Sequence, residues 1–302
     1  MPAVALAQYL RPEWIAYLFP VGCYLALSAG VIAHNHNHCT TFKSRRLNRW
    51  FSLWLSLFYG YPTFAWIPTH NMNHHKYVNR PGDATITWRY RNTHDLFTAV
   101  TYFFVSSYWQ SEPIKTFIRK AREGNRRLYR EILFQYAVWG TAALATASFG
   151  VALHGWKRGL WVWACATLFP ALFALWTIML FNYEQHVHAD PWSPHNHSRS
   201  WSGHLVNFFL FNNGLHAAHH ENAGTHWSEL REVHDRIKSR IDPRLVEKGL
   251  FWYFTKCYLL APLFPRFGTQ QIGTLLPENP ASVSLSTADV PLAEAGQTAA
   301  IG

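Results

Sequence analysis

Three stretches of this 302-residue chain, residues 15–33, 132–153 and 159–183, contain no Asp, Glu, Lys or Arg. At roughly 1.5 Å per helical residue, each is long enough to cross a hydrocarbon core of about 30 Å, so each is predicted to span a membrane. The last two form a predicted hairpin joined by the link His154-Gly155-Trp156-Lys157-Arg158. Other uncharged runs read differently. Residues 50–69 contain Gly60 and Pro62, which interrupt a helix, and are expected to dip into the bilayer and return. Residues 94–110, with Asp95 marking a helix start, are placed in the interface, followed by a basic helix through about 130. Residues 250–264 include Lys256 and Pro262 and also read as interfacial.

The predicted fold class is therefore all-α integral membrane. It has about three transmembrane helices, interfacial or re-entrant helices, and a cytoplasmic cap. Residues 1–267 form one membrane domain. Residues 268–302, rich in Ala, Ser, Thr, Pro and Gly without periodicity, read as a disordered tail. The 15 Trp, with many Tyr and Phe, gather near the ends of the apolar runs, as interfacial belts do.

A net charge of +10 raises the question of nucleic acid, but no binding motif accompanies it, and nucleic-acid binding is excluded. The basic residues lie between apolar segments: Lys43 to Arg49, Lys76 to Arg91 and Lys115 to Arg130. The positive-inside rule assigns such loops to the cytoplasmic side, where they suit anionic lipid headgroups. The four cysteines make no CxxC pair, and no rubredoxin-type or Rossmann motif is present, so any electrons must come from elsewhere.

Candidate chemistry lies at the ends of these runs. Of 18 histidines, nine fall into four clusters: His34-x-x-x-His38, His70-x-x-x-His74-His75, Asn182-Tyr-Glu-Gln-His186 and His216-x-x-His219-His220. Imidazole is the commonest transition-metal ligand. If the clusters serve one site they share one side of the membrane, which is why residues 50–69 are expected to return; a full crossing is the alternative and would break the single site. On a helix, positions i and i+4 share a face, so His34 with His38, and His70 with His74, are expected to aim at one point. In a doublet such as His74-His75 or His219-His220 the second ring points about 100° away, toward a different ion. A catalytic zinc uses about three protein ligands. Nine is a large excess for one zinc and enough for two irons, which imidazole suits.

These clusters resemble the histidine boxes, HxxxH, HxxxHH and HxxHH, of the membrane fatty acid desaturase and hydroxylase superfamily. Asn182-Tyr-Glu-Gln-His186 is similar to the extra box of these enzymes and to the NYxEH signature of membrane alkane hydroxylases. The resemblance covers about residues 30–235. It implies that His34, His38, His70, His74, His75, His186, His216, His219 and His220 bind two iron ions, with Asn182 a ligand through water or a neighbour of the ligands. It implies an O2-dependent oxidase acting on an unactivated C–H bond of a fatty acyl chain, free, thioester-bound or in a phospholipid. Desaturation is the leading reaction, with hydroxylation or alkene-forming decarboxylation on the same centre as alternatives. Two electrons would come from a ferredoxin or rubredoxin-type donor with its reductase.

Asp83, Glu184 and His188 are expected to support the ligands, since metal-bound histidines need a partner for their second nitrogen. His36 should face away from its neighbours. His195 and His197 read as a polar loop or as such supports, and His94 and His154 as isolated structural residues. Two other function classes remain open. A membrane zinc hydrolase needs only three of the histidines, and a metal transporter would carry its ligands near the middle of the bilayer rather than at the ends of spans.

Overall fold

The computed structural model describes residues 1–276. Among these the fold is helical apart from one pair of two-residue parallel strands, and it divides into two units. Among the described residues, unit 1 comprises Met1–Ile67 and Ile118–Ile178, and unit 2 comprises Pro68–Phe117 and residues 179–276. Three helices are long and apolar enough to cross a membrane: Pro12–His38, Arg126–His154 and Trp156–His186. Each contains one of the predicted spans, and the chain is an all-α membrane protein.

Unit 1 begins with α1 (Pro2–Leu10) and α2 (Ile15–His38), the latter ending on the first histidine cluster. α3 (Arg45–Tyr59) starts at Ser44, whose hydroxyl accepts from the Leu47 amide. It stops at Gly60, held at φ +95°, a conformation only glycine adopts freely. Pro62 and a 3-10 turn, Thr63–Ala65, follow. The break at Gly60 and Pro62 is thus where the sequence placed it. α2 and α3 pack through Ala29, Ala33, Leu55 and Tyr59.

The hairpin is α6 (Arg126–His154) followed, after Gly155, by α7 (Trp156–Trp163), a π-helical turn and α8 (Phe169–His186). Its link is shorter than expected, because α7 takes up Lys157 and Arg158. Gly150 and Gly159 let the two arms touch: a Cβ on Gly159 would lie 2.3 Å from the Gly150 carbonyl oxygen. Small residues of this kind let membrane helices approach backbone to backbone.

α5 (Leu96–Gly124) differs from expectation. The aromatic run and the basic segment are one continuous helix, and the break comes at Asn125, whose side chain caps α6 by accepting from Leu128 N. Pro113 is carried inside α5. Asp95 does start it, accepting from Thr98 N at 2.8 Å.

Unit 2 holds the short helix α4 (His75–Tyr77), a stitched loop to residue 95, α9 (His204–Phe209), α10 (His216–Glu221), α11 (Leu230–Ile237) and α12 (Leu250–Phe254). α12 continues into a π-helical turn, Thr255–Leu260. The strands β1 (Ser200–Trp201) and β2 (Val246–Glu247) pair between them. α10 and α11 share a core of Leu215, Ala218, Leu230, Val233 and Leu245. Ile272 joins this core and its amide donates to His188 O, while Gln271 Nε2 donates to Ala189 O. Part of the segment expected as a tail is therefore anchored, because it carries one apolar side chain and one amide that find buried partners. Residues 277–302 lie outside the described residues.

Candidate metal centre

The second cluster sits on a π-helix, Ile67–His74, that runs into α4. A π-helix closes i→i+5 bonds, so neighbours on one face stand five apart rather than four. His70 therefore meets His75, with Nε2 atoms 3.1 Å apart, and not His74, whose ring lies 5.2 Å from that of His70. The expected His70–His74 pairing is corrected by the wider turn. His75 Nε2 also lies 3.0 Å from His219 Nε2.

His74 turns the other way and joins His186, His216 and His220. In this quartet one ring nitrogen from each residue lies within 4.8 Å of every other. His186 comes from the C-terminus of α8, while His216 and His220 stand one turn apart on α10. Both doublets are split as anticipated: His74 and His220 serve the quartet, His75 and His219 pair beside it.

The second nitrogens of His74 and His186 are held. His74 Nδ1–H donates to Asp83 Oδ2 at 2.9 Å, with Thr85 Oγ1 at 3.0 Å. Asp83 is wholly buried and also accepts from Asn79 N, Thr85 N and the Thr85 hydroxyl, each at 2.7 Å. Burial alone would raise its pKa. The contact with His74 and the Thr85 donors outweigh burial and hold the carboxyl down at about 2. His186 Nδ1–H donates to the carbonyl of His197 at 3.0 Å, so that residue supports the site through its backbone. Both histidines thus present Nε2 inward with its lone pair.

These positions fit a cation. His74 Nε2 is buried with no hydrogen-bond partner. His216 Nε2 lies 2.9 Å from His186 Nε2 and 3.0 Å from His220 Nε2. Lone pairs so close repel unless a proton or metal lies between them. With metal–nitrogen bonds of about 2.1 Å, adjacent ligands at right angles would stand about 3.0 Å apart. Burial, reinforced by His75 and His216, pushes the pKa of His220 well below the usual histidine value. His220 is therefore neutral, the form that ligates. An all-imidazole set suits iron and also zinc.

In unit 1, His34 and His38 lie side by side at the end of α2, ring centroids 4.8 Å apart, with His34 edge-on to Trp66. His36 faces elsewhere, as expected: its Nδ1 bonds Thr41 and its Nε2 the Asn48 carbonyl.

Asn182 Nδ2 donates to the Tyr102 hydroxyl at 2.8 Å; Tyr102 in turn donates to Thr85 O, beside His74. Its link to the quartet is indirect. Glu184 and His188 are directed away from the nine histidines. Glu184 accepts from His94 and Tyr253 at 2.9 Å each, and from Tyr258, because its helical position faces α12 rather than the quartet. His188, at φ +59°, bonds Thr269 at 2.8 Å. His94, read as isolated, is in fact Glu184's partner. Nothing in the sequence marks Asn79, Thr85 or Tyr102, since their bonds are made largely within an irregular loop or, for Tyr102, to Asn182, 80 residues away. Asn79 Nδ2 donates to the His186 carbonyl and helps fix the end of α8.

Four imidazoles gathered at the end of α8 and on neighbouring segments of unit 2, two of them braced at the second nitrogen, form a candidate metal centre in a membrane protein. A family model, Fatty acid desaturase, matches residues 12–252, and the chain belongs to that family. Family membership makes fatty acyl chains and membrane lipid its coarse context, oxidation its class of chemistry and iron its expected metal. No curated protein and no solved structure matches the chain.

Proposed function

We propose that the chain is a membrane-bound non-haem diiron oxidase that uses O2 to introduce a double bond into a fatty acyl chain. The observation that carries this is the quartet of His74, His186, His216 and His220, the first three buried, with the unpartnered Nε2 of His74 turned inward. Histidines in excess of one ion's needs support a second iron. We assign all nine cluster histidines as ligands: His34, His38, His70, His74, His75, His186, His216, His219 and His220. The group, when bound, supplies dioxygen activation and removal of hydrogen from the acyl chain.

The chain's own residues fix the ligands. Asp83 and the His197 carbonyl lock the Nδ1–H tautomers of His74 and His186. Asn182 orients Tyr102 against the loop that carries Asp83 and Thr85. Burial keeps water from competing at the quartet. Electrons come from a ferredoxin or rubredoxin-type protein and its reductase, a reading supported by the lack of any CxxC pair. The metal-bearing side is cytoplasmic, supported by the basic loops, with residues 50–69 re-entrant and 94–110 interfacial.

Hydroxylation is the second reading, favoured by the Asn182-to-His186 box and its similarity to that of alkane hydroxylases. Metal analysis together with mass spectrometry of lipids from cells with and without the protein tests both. About two irons per chain and a product lacking two hydrogens is the expected result. A product with one added oxygen means hydroxylation, and a volatile alkene lacking the carboxyl carbon means decarboxylation. One zinc and no iron would overturn the oxidase.

A further inference from the structure

Two short helices of unit 2 that carry no metal-site histidine turn apolar side chains outward together. α9 and α12 start side by side because the strands ahead of them pair: Trp201 stands opposite Glu247, and Ser202 N–H donates to Glu247 O at 2.7 Å. Gly203 passes so near Lys248 that a Cβ there would lie 2.0 Å from its carbonyl oxygen. The inner faces then bury each other, Val206 packing with Leu250 and Phe254 around Trp201, Tyr253 and Cys257.

The outer faces have no such cover. Leu205 and Phe208 stand three apart on α9; Phe251 lies on α12, Leu259 on the π-helical turn that continues it and Leu263 just past that turn. All five are more than two-thirds exposed, Phe208 at 76% and Phe251 at 86%. Exposed apolar side chains gathered on two adjoining helices in this way mark an interaction site.

Its rim selects the partner. Residues 201–220 and 248–276 contain no Asp or Glu, and the cations among them are Lys248, Lys256 and Arg266. Lys256 is paired with Glu247, whereas Lys248 and Arg266 are exposed at the two ends of the face. A second copy of the chain would bring the same cations to the same rim in a two-fold contact. An anionic lipid surface complements both the apolar centre and the basic edge.

We propose that α9 and α12, with the π-helical turn that follows, form one membrane-docking face of unit 2, seated at the headgroup–acyl boundary of an anionic leaflet. Of this face the sequence places only residues 250–264 at the interface; α9 has too few residues for hydropathy to mark it. The inference is independent of the metal and of the reaction.

Spin labels test it in the full-length protein, reconstituted in nanodiscs of phosphatidylglycerol and phosphatidylcholine. Phe208→Cys and Leu259→Cys report on the two helices, with Leu205→Cys as a second site on α9. Ser239→Cys, on an exposed turn of the same unit, gives the aqueous reference, and the unsubstituted protein gives the background from native cysteines. The ratio of collisions with oxygen to collisions with a water-soluble nickel chelate should be severalfold above the Ser239→Cys value at every labelled position. A ratio equal to that reference, or loss of collisions with both reagents through cover by protein, would overturn the proposal.

Discussion

Asp83 is the residue on which most of the quartet's order converges, although it touches only one of the histidines. Replacing it with Asn keeps the shape but removes the fixed acceptor for His74 Nδ1–H, so the ring can present either nitrogen inward. Asp83→Asn is expected to weaken iron binding about 10–100-fold, the usual loss for a ligand's hydrogen-bond partner, measured by chelator competition. His36→Gln, by contrast, should leave the iron content unchanged while loosening the Thr41 and Asn48 contacts; a loss of iron would make His36 a ligand. Acid should act through His197, whose pKa burial, helped by His195 and His74, brings down from 6.5 to about 4. Between those values the unfolded chain binds more protons than the folded one, so stability falls as pH drops through that window. The metal-free protein in detergent should melt at a lower temperature at pH 5 than at pH 7.5. At this scale the sequence disclosed the histidines by their spacing, and the facing-away of His36 by helical geometry. It could not disclose that His94 bonds Glu184, because 90 residues of chain separate them.

Among the elements, hydropathy was enough for the three spanning helices, and single residues were enough for several ends: Asp95, Gly60 and Pro62 all act where composition placed them. The π-helix at Ile67–His74 was not legible, since a spacing of four or five histidine positions fits either winding until the ring contacts are seen. That one difference moves His74 from one partner set to another. The unbroken α5 was hidden for a related reason: a change from aromatic to basic residues, with Pro113 close by, looks like a boundary, yet the helix carries that proline and runs on to Gly124. The α6–α7 crossing supplies a sharp test. Gly159→Leu puts carbon against the Gly150 carbonyl, where neither backbone can yield cheaply. A loss of about 1–3 kcal/mol is expected, the range for overpacking a close contact. It should be read as a lower melting temperature in detergent, with Gly124→Leu, which meets nothing within 4 Å, as the control.

For the molecule as a whole, metal and fold should be linked. Iron that binds the folded chain alone stabilises it by about 2.7 kcal/mol when its free concentration is 100 times the dissociation constant. Removing metal with a chelator should therefore lower the melting temperature, and ferrous iron should restore it. A melting temperature indifferent to iron would mean that the histidines hold none. The family was legible from the boxes alone, because four histidine patterns beside apolar spans leave few other uses for so many imidazoles. The reaction was not: abstraction followed by a second loss of hydrogen or by oxygen insertion depends on displacements well below an ångström.

The loop between Tyr77 and Asp95 has almost no regular structure, yet it is closely tied. Asn73 bonds both Gly82 O and Ala84 N, Asn79 bonds Thr87 and the end of α8, and Val78 and Asn79 take the left-handed turn that brings Asp83 under His74. None of these bonds involves a metal. Because the loop is held by these bonds alone, the chain is expected to insert and fold first and to be loaded afterwards. Protein produced in iron-starved cells should thus accumulate intact in the membrane and become competent on addition of ferrous iron, without renewed synthesis.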